Sequence, residues 1–237
     1  MKKRFQAILG ILAIFIVTIA FLAFTYFNNY YSYGTYARKA LISTDTVQVE
    51  RERGYIFFDG PGTGRAMIFY PGAKVATEAY APLMAGLAEK GIDCFLVDMP
   101  LHFALFDIDR AGEISEAYEY DELFMGGHSM GGAMASRYLA AHTDNFSGLI
   151  LLGSYPIDEI SDDIKFLSVI GSADGIVDMD DYEDYKKFWP KDGHEVVIFG
   201  GNHAGFGNYG KQDGDGEAKI KQKTQWRQTI EAIMEYM

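Results

Sequence analysis

The chain has 237 residues, 49% hydrophobic and 23% charged, a balance that excludes disorder and allows one sizeable core. Its 21 basic and 33 acidic side chains give a net charge of −12, so the surface repels a phosphate backbone and nucleic acid is not an expected partner. Cys94 is the single cysteine, which excludes an intrachain disulfide and any thiolate cluster for zinc or iron–sulfur.

Lys2, Lys3 and Arg4 precede an uncharged run from Ala7 to Phe27, 21 residues long. As a helix rising about 1.5 Å per residue, the run reaches roughly 31 Å, close to the thickness of a bilayer's hydrocarbon core. A signal peptide is the rival reading. Its apolar region is normally about 7–15 residues and ends in small residues, whereas Ala23 here has Phe21 two places before it. Residues 1–30 are therefore expected to form an N-terminal transmembrane helix, with a cleaved signal as the alternative. Three basic residues before the run, against Arg38 and Lys39 after it, keep the start inside. The expected location is the cell membrane, single-pass, with the remaining domain on the extracytoplasmic side. The tyrosine-rich stretch Tyr26–Tyr36 suits an interfacial belt, and residues 31–45 read as a tether.

Residues 46–237 read as one domain. Short β-branched or apolar runs predict eight strands, at Thr46–Glu50, Tyr55–Phe58, Ala66–Tyr70, Asp93–Val97, Leu123–Gly126, Leu149–Leu152, Phe166–Ile170 and Glu195–Phe199. Helical periodicity fits Thr77–Lys90, Met130–His142, Met179–Trp189 and Lys219–Met237. Alternation of strand and helix implies an α/β fold with a mainly parallel sheet covered on both faces, opened by an antiparallel hairpin. The turn Gly60-Pro-Gly-Thr-Gly64 lacks the Lys-Ser/Thr ending of a phosphate loop and leads into a strand, so it reads as a plain turn. Residues 98–120 and 153–164 resist a local assignment.

The segment Leu123-Phe-Met-Gly-Gly-His-Ser-Met-Gly-Gly-Ala-Met-Ala135 runs from a strand through Gly127-His-Ser-Met-Gly131 into a helix. That is a nucleophile elbow, in which glycines let the backbone pass closely and Ser129 stands at the helix N-terminus. An acid and then a histidine should follow, each in a loop at the carboxyl end of a strand. Asp174 lies 45 residues after Ser129, in Gly171-Ser-Ala-Asp174, and His203 another 29 residues on, in Gly200-Gly-Asn-His203. Asp178 competes with Asp174 for the acid. Among the other histidines, His128 is held in the elbow, His142 ends the following helix, His194 precedes its strand, and His102 comes before the nucleophile in the chain. Donors for an oxyanion are the amide of Met130 and that of Ala73, in the loop Tyr70-Pro-Gly-Ala-Lys-Val75. Lys74 at the rim is either a solvated lysine or a contact to a substrate carboxylate, and His102 is a second candidate contact.

With these residues placed, the chain resembles the α/β-hydrolase superfamily over residues 46–237. More narrowly, Tyr70-Pro-Gly-Ala-Lys-Val75, Ala79-Tyr-Ala-Pro-Leu83, Asp98-Met-Pro-Leu101 and Gly201-Asn-His-Ala-Gly-Phe-Gly-Asn-Tyr-Gly210 are similar to the small bacterial α/β-hydrolase fold-5 family. The resemblance implies a three-layer sandwich and a Ser-Asp-His hydrolase, carried onto Ser129, Asp174 and His203, in a group with many members of unknown substrate. Ala73 departs from the glycine expected there but keeps the amide. Dienelactone hydrolases use cysteine at the elbow, and haloalkane dehalogenases and epoxide hydrolases use aspartate, so Ser129 argues against all three. Gly153–Lys165 is too short for a large cap domain, so an open, shallow site is expected.

The expected function is a membrane-anchored serine hydrolase cleaving a carboxylic ester or similar small acyl compound through an acyl-enzyme, with no cofactor and no metal. The alternatives are a non-catalytic binding module of the same fold or, among enzymes, a thioesterase, peptidase or acyltransferase. Asp213-Gly-Asp-Gly-Glu217 lacks the ligand spacing of a calcium loop, and Asp178 to Asp184 read as a solvated helix start. The oligomeric state is left open.

Overall fold

The structure, a computed structural model, describes residues 2–62 and 64–237; Thr63, in the Gly60–Gly64 turn, lies outside them. The chain divides into two units, Met1–Tyr30 and Tyr31–Met237. The first is helix α1 (Lys2–Asn28). Its apolar residues are not confined to one stripe. Its polar groups bond within the helix: the hydroxyls of Thr18 and Thr25 donate to the carbonyls of Ile14 and Leu22, and the Asn28 amide donates to Phe24. The stretch Arg4–Asn28 is long and apolar enough to cross a membrane, a property that signal sequences share.

The second unit carries all eight predicted strands, β1 (Gln48–Glu52), β2 (Tyr55–Asp59), β3 (Arg65–Tyr70), β4 (Ile92–Val97), β5 (Glu122–His128), β6 (Gly148–Leu152), β7 (Lys165–Gly171) and β8 (His194–Ile198). They form one sheet in the order β1-β2-β4-β3-β5-β6-β7-β8. The β1–β2 and β2–β4 pairs are antiparallel and all others parallel. Alternation along β3 shows how three layers arise. Met67 and Phe69 pack with Leu83, Met84 and Leu87 on one face, and Ala66, Ile68 and Tyr70 with Ala135 and Leu139 on the other. The flanking helices are α2 (Thr35–Ala40), α3 (Ala81–Ala88), α4 (Arg110–Ala117), α5 (Met130–Ala141), α6 (Met179–Tyr185) and α7 (Gln222–Tyr236). Residues 153–164 contain no helix, so no helical cap is built from them.

Three local departures from the sequence reading have physical reasons. Thr77–Lys90 is a 3₁₀ turn over Thr77–Tyr80 followed by α3, whose first turn takes Pro82, a residue suited to a fresh helix start. The 98–120 stretch holds α4, anchored by the Tyr70 hydroxyl, which donates to Ile108 C=O (2.7 Å) and accepts the Ala111 amide (2.9 Å). Residues 31–40 are built into the domain. Tyr31 bridges Val75, and the Asn208 side chain accepts the Ala37 amide at the start of α2.

Candidate active site

The candidate groups come from loops at the carboxyl ends of β3, β5, β7 and β8. Parallel pairing brings these ends together: Tyr70 faces Gly127, His128 faces Leu152, Leu152 faces Val169, and Gly171 faces Ile198. Ser129 follows β5 at φ 55° and ψ −129° and opens α5. A Cβ on Gly131 would lie 2.2 Å from the carbonyl oxygens of both Tyr70 and Pro71, so only glycine lets the β3 loop reach the elbow. The elbow is braced from β6. The Ser129 amide donates to Leu152 C=O (3.1 Å), and the Ser154 hydroxyl donates to Ser129 C=O (2.7 Å).

Asp174 and His203 meet. His203 Nδ1 donates to Asp174 Oδ2 at 2.8 Å, and both side chains are about 99% removed from solvent, each 1% exposed. The other carboxylate oxygen, Asp174 Oδ1, accepts the amides of Ile176 (2.9 Å) and Val177 (3.0 Å), so the acid cannot turn away. Asp178, its rival in the sequence, is the N-cap of α6 instead, accepting the amides of Asp180 and Asp181. His203 Nε2 is buried and has no hydrogen-bond partner among the described residues, which leaves it available to a ligand or nucleophile. Gly153 packs on the pair. A Cβ there would stand 3.0 Å from His203 Nδ1 and 3.1 Å from Asp174 Oδ2, and its φ is +48°.

Two amides that could receive an oxyanion, those of Ala73 and Met130, donate to no other group among the described residues. The neighbouring Gly72 amide is occupied, donating to the Tyr80 hydroxyl (3.1 Å), which also lies 2.7 Å from His128 Nδ1. Tyr80 thus joins the β3 loop to the elbow from below. Burial above all, and the adjacent His203, whose ring centroid is 4.4 Å away, hold the His128 imidazole well below its usual pKa, so it stays neutral. Lys74 donates its amide to His102 C=O at 2.8 Å, which brings the two candidate rim residues together through their backbones. His102 is also shifted below the usual imidazole range by burial, against the opposing charges of Asp98 and Glu78.

Backbone conformation marks the same place. Among the described residues, the non-glycine positions with positive φ are Lys74, Leu101, His102 and Ser129, all in the β3, β4 and β5 loops. Such strain persists where surrounding structure imposes it, and it concentrates at functional sites. Tyr80, Gly153 and Asn202 escape a sequence reading because their partners lie far off in the chain. Asn202, whose amide donates to Gln225 Oε1 (3.1 Å), is legible only as a neighbour of His203. No group of three or more acidic, histidine or cysteine side chains among the described residues is arranged to hold a metal ion.

A model of the alpha/beta hydrolase family matches residues 66–227. A protein of Mycobacterium phage D29, whose name places it provisionally among non-heme haloperoxidases, is 27% identical over 114 residues, 44% of this chain. The match spans about two fifths (41%) of that relative's length. Among solved structures, Est1E from Butyrivibrio proteoclasticus superimposes with a TM-score of 0.56 at 15% identity, covering 81% of this chain and 99% of its own. A dienelactone hydrolase from Anabaena variabilis gives 0.59 at 14%, with 81% and 99% covered. At these identities the structures share the fold.

Proposed function

The chain belongs to the alpha/beta hydrolase family, and from that premise we propose that it is a serine hydrolase acting on a carboxylic ester or similar acyl compound. The observation that carries this reading is the buried bond from His203 Nδ1 to Asp174 Oδ2, with Nε2 left open on an edge shared with the strained Ser129. Ser129 Oγ attacks the acyl carbonyl while His203 Nε2 takes its proton. Asp174 fixes the proton on Nδ1, which makes Nε2 the basic nitrogen, and stabilises the imidazolium that forms. The amides of Ala73 and Met130 receive the negative oxygen. His203 returns the proton to the leaving group, and water then cleaves the acyl-serine by the same route.

The exposed apolar residues Leu101 (53%), Leu105 (58%) and Phe106 (51%) form the rim of the β4 loop and favour an acyl chain over a charged substrate. In this reading α1 anchors the chain to the cell membrane, with the hydrolase domain outside the cytoplasm. The test is hydrolysis of p-nitrophenyl butyrate by the full-length protein and its Ser129→Ala, His203→Ala and Asp174→Asn variants. Each should lose at least about a thousandfold in kcat, with Ser129→Ala melting like the parent and each variant still folded at the assay temperature. A Ser129→Ala protein with half the parental rate would sink the reading.

A further inference from the structure

The relation between the acid and the base depends on a residue outside the triad. Asp174 and His203 sit on separate loops, after β7 and β8, and their 2.8 Å bond requires those loops to keep a fixed spacing. Asp215 lies between them. Its Oδ1 accepts the amide of Gly175 (3.1 Å), next to Asp174, and the amide of His203 itself (3.2 Å). Its Oδ2 accepts the amide of Ala204 (2.8 Å), and Oδ1 takes Gly216 as well (2.8 Å). One carboxylate therefore holds amides from three segments, with the residue after the acid and the base's own backbone among them. We propose that Asp215 is a positioning residue that clamps the loop of His203 to the loop of Asp174; the proposal rests on the serine-hydrolase reading.

The surroundings show why a carboxylate is needed there. A Cβ on Gly216 would come 2.0 Å from Ala173 C=O, so the turn bearing Asp215 presses directly on the acid loop. The same turn is tied to the base loop by Asn202 Nδ2, which donates to Gly216 C=O (2.8 Å). Four donors converge on two oxygens, and only a group with lone pairs on both can accept them all. An asparagine offers one such oxygen, and its NH₂ would face an amide donor. The turn would then shift on one side, and the His203 ring would move against Asp174. Displacements near 1 Å at a reacting group cost on the order of 10²-fold in rate.

The test is a double-mutant cycle on the full-length chain with p-nitrophenyl butyrate, combining Asp215→Asn with Asp174→Asn. Asp215→Asn alone should lower kcat on the order of 10²-fold with KM little changed, and should broaden or shift the low-field proton resonance of the His203 Nδ1–H bond. If Asp215 acts only through the pair, the double variant should lie within about threefold of Asp174→Asn alone. Losses that multiply would overturn the proposal, as would a parental kcat for Asp215→Asn. Should that variant melt below the assay temperature, Asp215→Ser, which keeps one acceptor, carries the same cycle. Failure of both to fold would assign Asp215 to the fold and refute the positioning role. A fully active Asp174→Asn would overturn this proposal together with the triad on which it rests, and is distinguishable because Asp174→Asn alone reports it.

Discussion

Ser129 holds a positive φ that glycine tolerates and a side chain resists, at a cost of about 1–3 kcal/mol. Ser129→Gly is therefore expected to raise the melting temperature while abolishing hydrolysis; a variant no more stable than the parent would show that the elbow stores no strain. Gly153→Ala tests the pair beside it. The added methyl would meet His203 Nδ1 and Asp174 Oδ2 inside contact distance, at a φ that opposes alanine, so kcat should fall at least about tenfold. Unchanged kcat would mean that the pair has room to yield. His128 gives a pH dependence with a definite sign. In the unfolded chain it binds a proton around pH 6.5, whereas burial first, and His203 second, keep the folded imidazole neutral to well below that. The unfolded state thus binds more protons on acidification, so this contribution to stability is full above about pH 6.5 and is lost as pH falls, by up to about 1.4 kcal/mol per unit. His102 adds in the same direction. Melting temperature should drop between pH 7.5 and 5.5, and less so in His128→Asn; equal slopes would remove His128 from the account.

Most strands were legible because they are runs of β-branched or apolar residues ended by a turn signal, although β1 is largely charged, and the alternation of strand and helix implied a mainly parallel sheet. The placement of Ser129, Asp174 and His203 in loops after β5, β7 and β8 was legible for the same reason, since each lies within about five residues of the end of such a run. Helix α4 was not, because Arg110–Ala117 is mostly polar, buries only Ala111 and Ile114, and takes its position from the Tyr70 hydroxyl 41 residues earlier. The role of Tyr80 was not legible either, since nothing local reveals that its hydroxyl serves Gly72, 8 residues away, and His128, 48 away. Tyr80→Phe should leave the Gly72 amide without its partner and cost about 1–3 kcal/mol of stability. The stretch after α1 was read as a tether from composition, while its contacts come from distant loops. Tyr31 donates its amide to Lys74 C=O (2.7 Å), accepts the Ala76 amide (2.9 Å), and takes the Asp213 amide on its hydroxyl (3.2 Å). It spans the loops on either side of the site. Deleting residues 1–30 should keep activity and deleting 1–40 should destroy it; an active 41–237 protein would show that this strap is dispensable.

At the scale of the whole molecule, the absence of a helix in residues 153–164 bears on substrate size. Long acyl chains need an enclosing apolar wall to recover about 0.8 kcal/mol per CH₂ removed from water, and the β4 loop supplies one side only. Butyrate esters should therefore be cleaved with a higher kcat/KM than laurate esters by the 31–237 domain, and the reverse order would require an enclosed tunnel. If α1 is a membrane anchor, the full-length protein should sediment with membranes through an alkaline wash, and protease added to intact cells should reach the domain. The most direct test of the central claim is covalent: a fluorophosphonate probe added to the folded full-length protein, followed by peptide mass mapping. The account predicts one adduct, on Ser129, absent in Ser129→Ala and slowed at least about a hundredfold in His203→Ala. A folded protein that takes up no probe, or carries it on another residue, would contradict it.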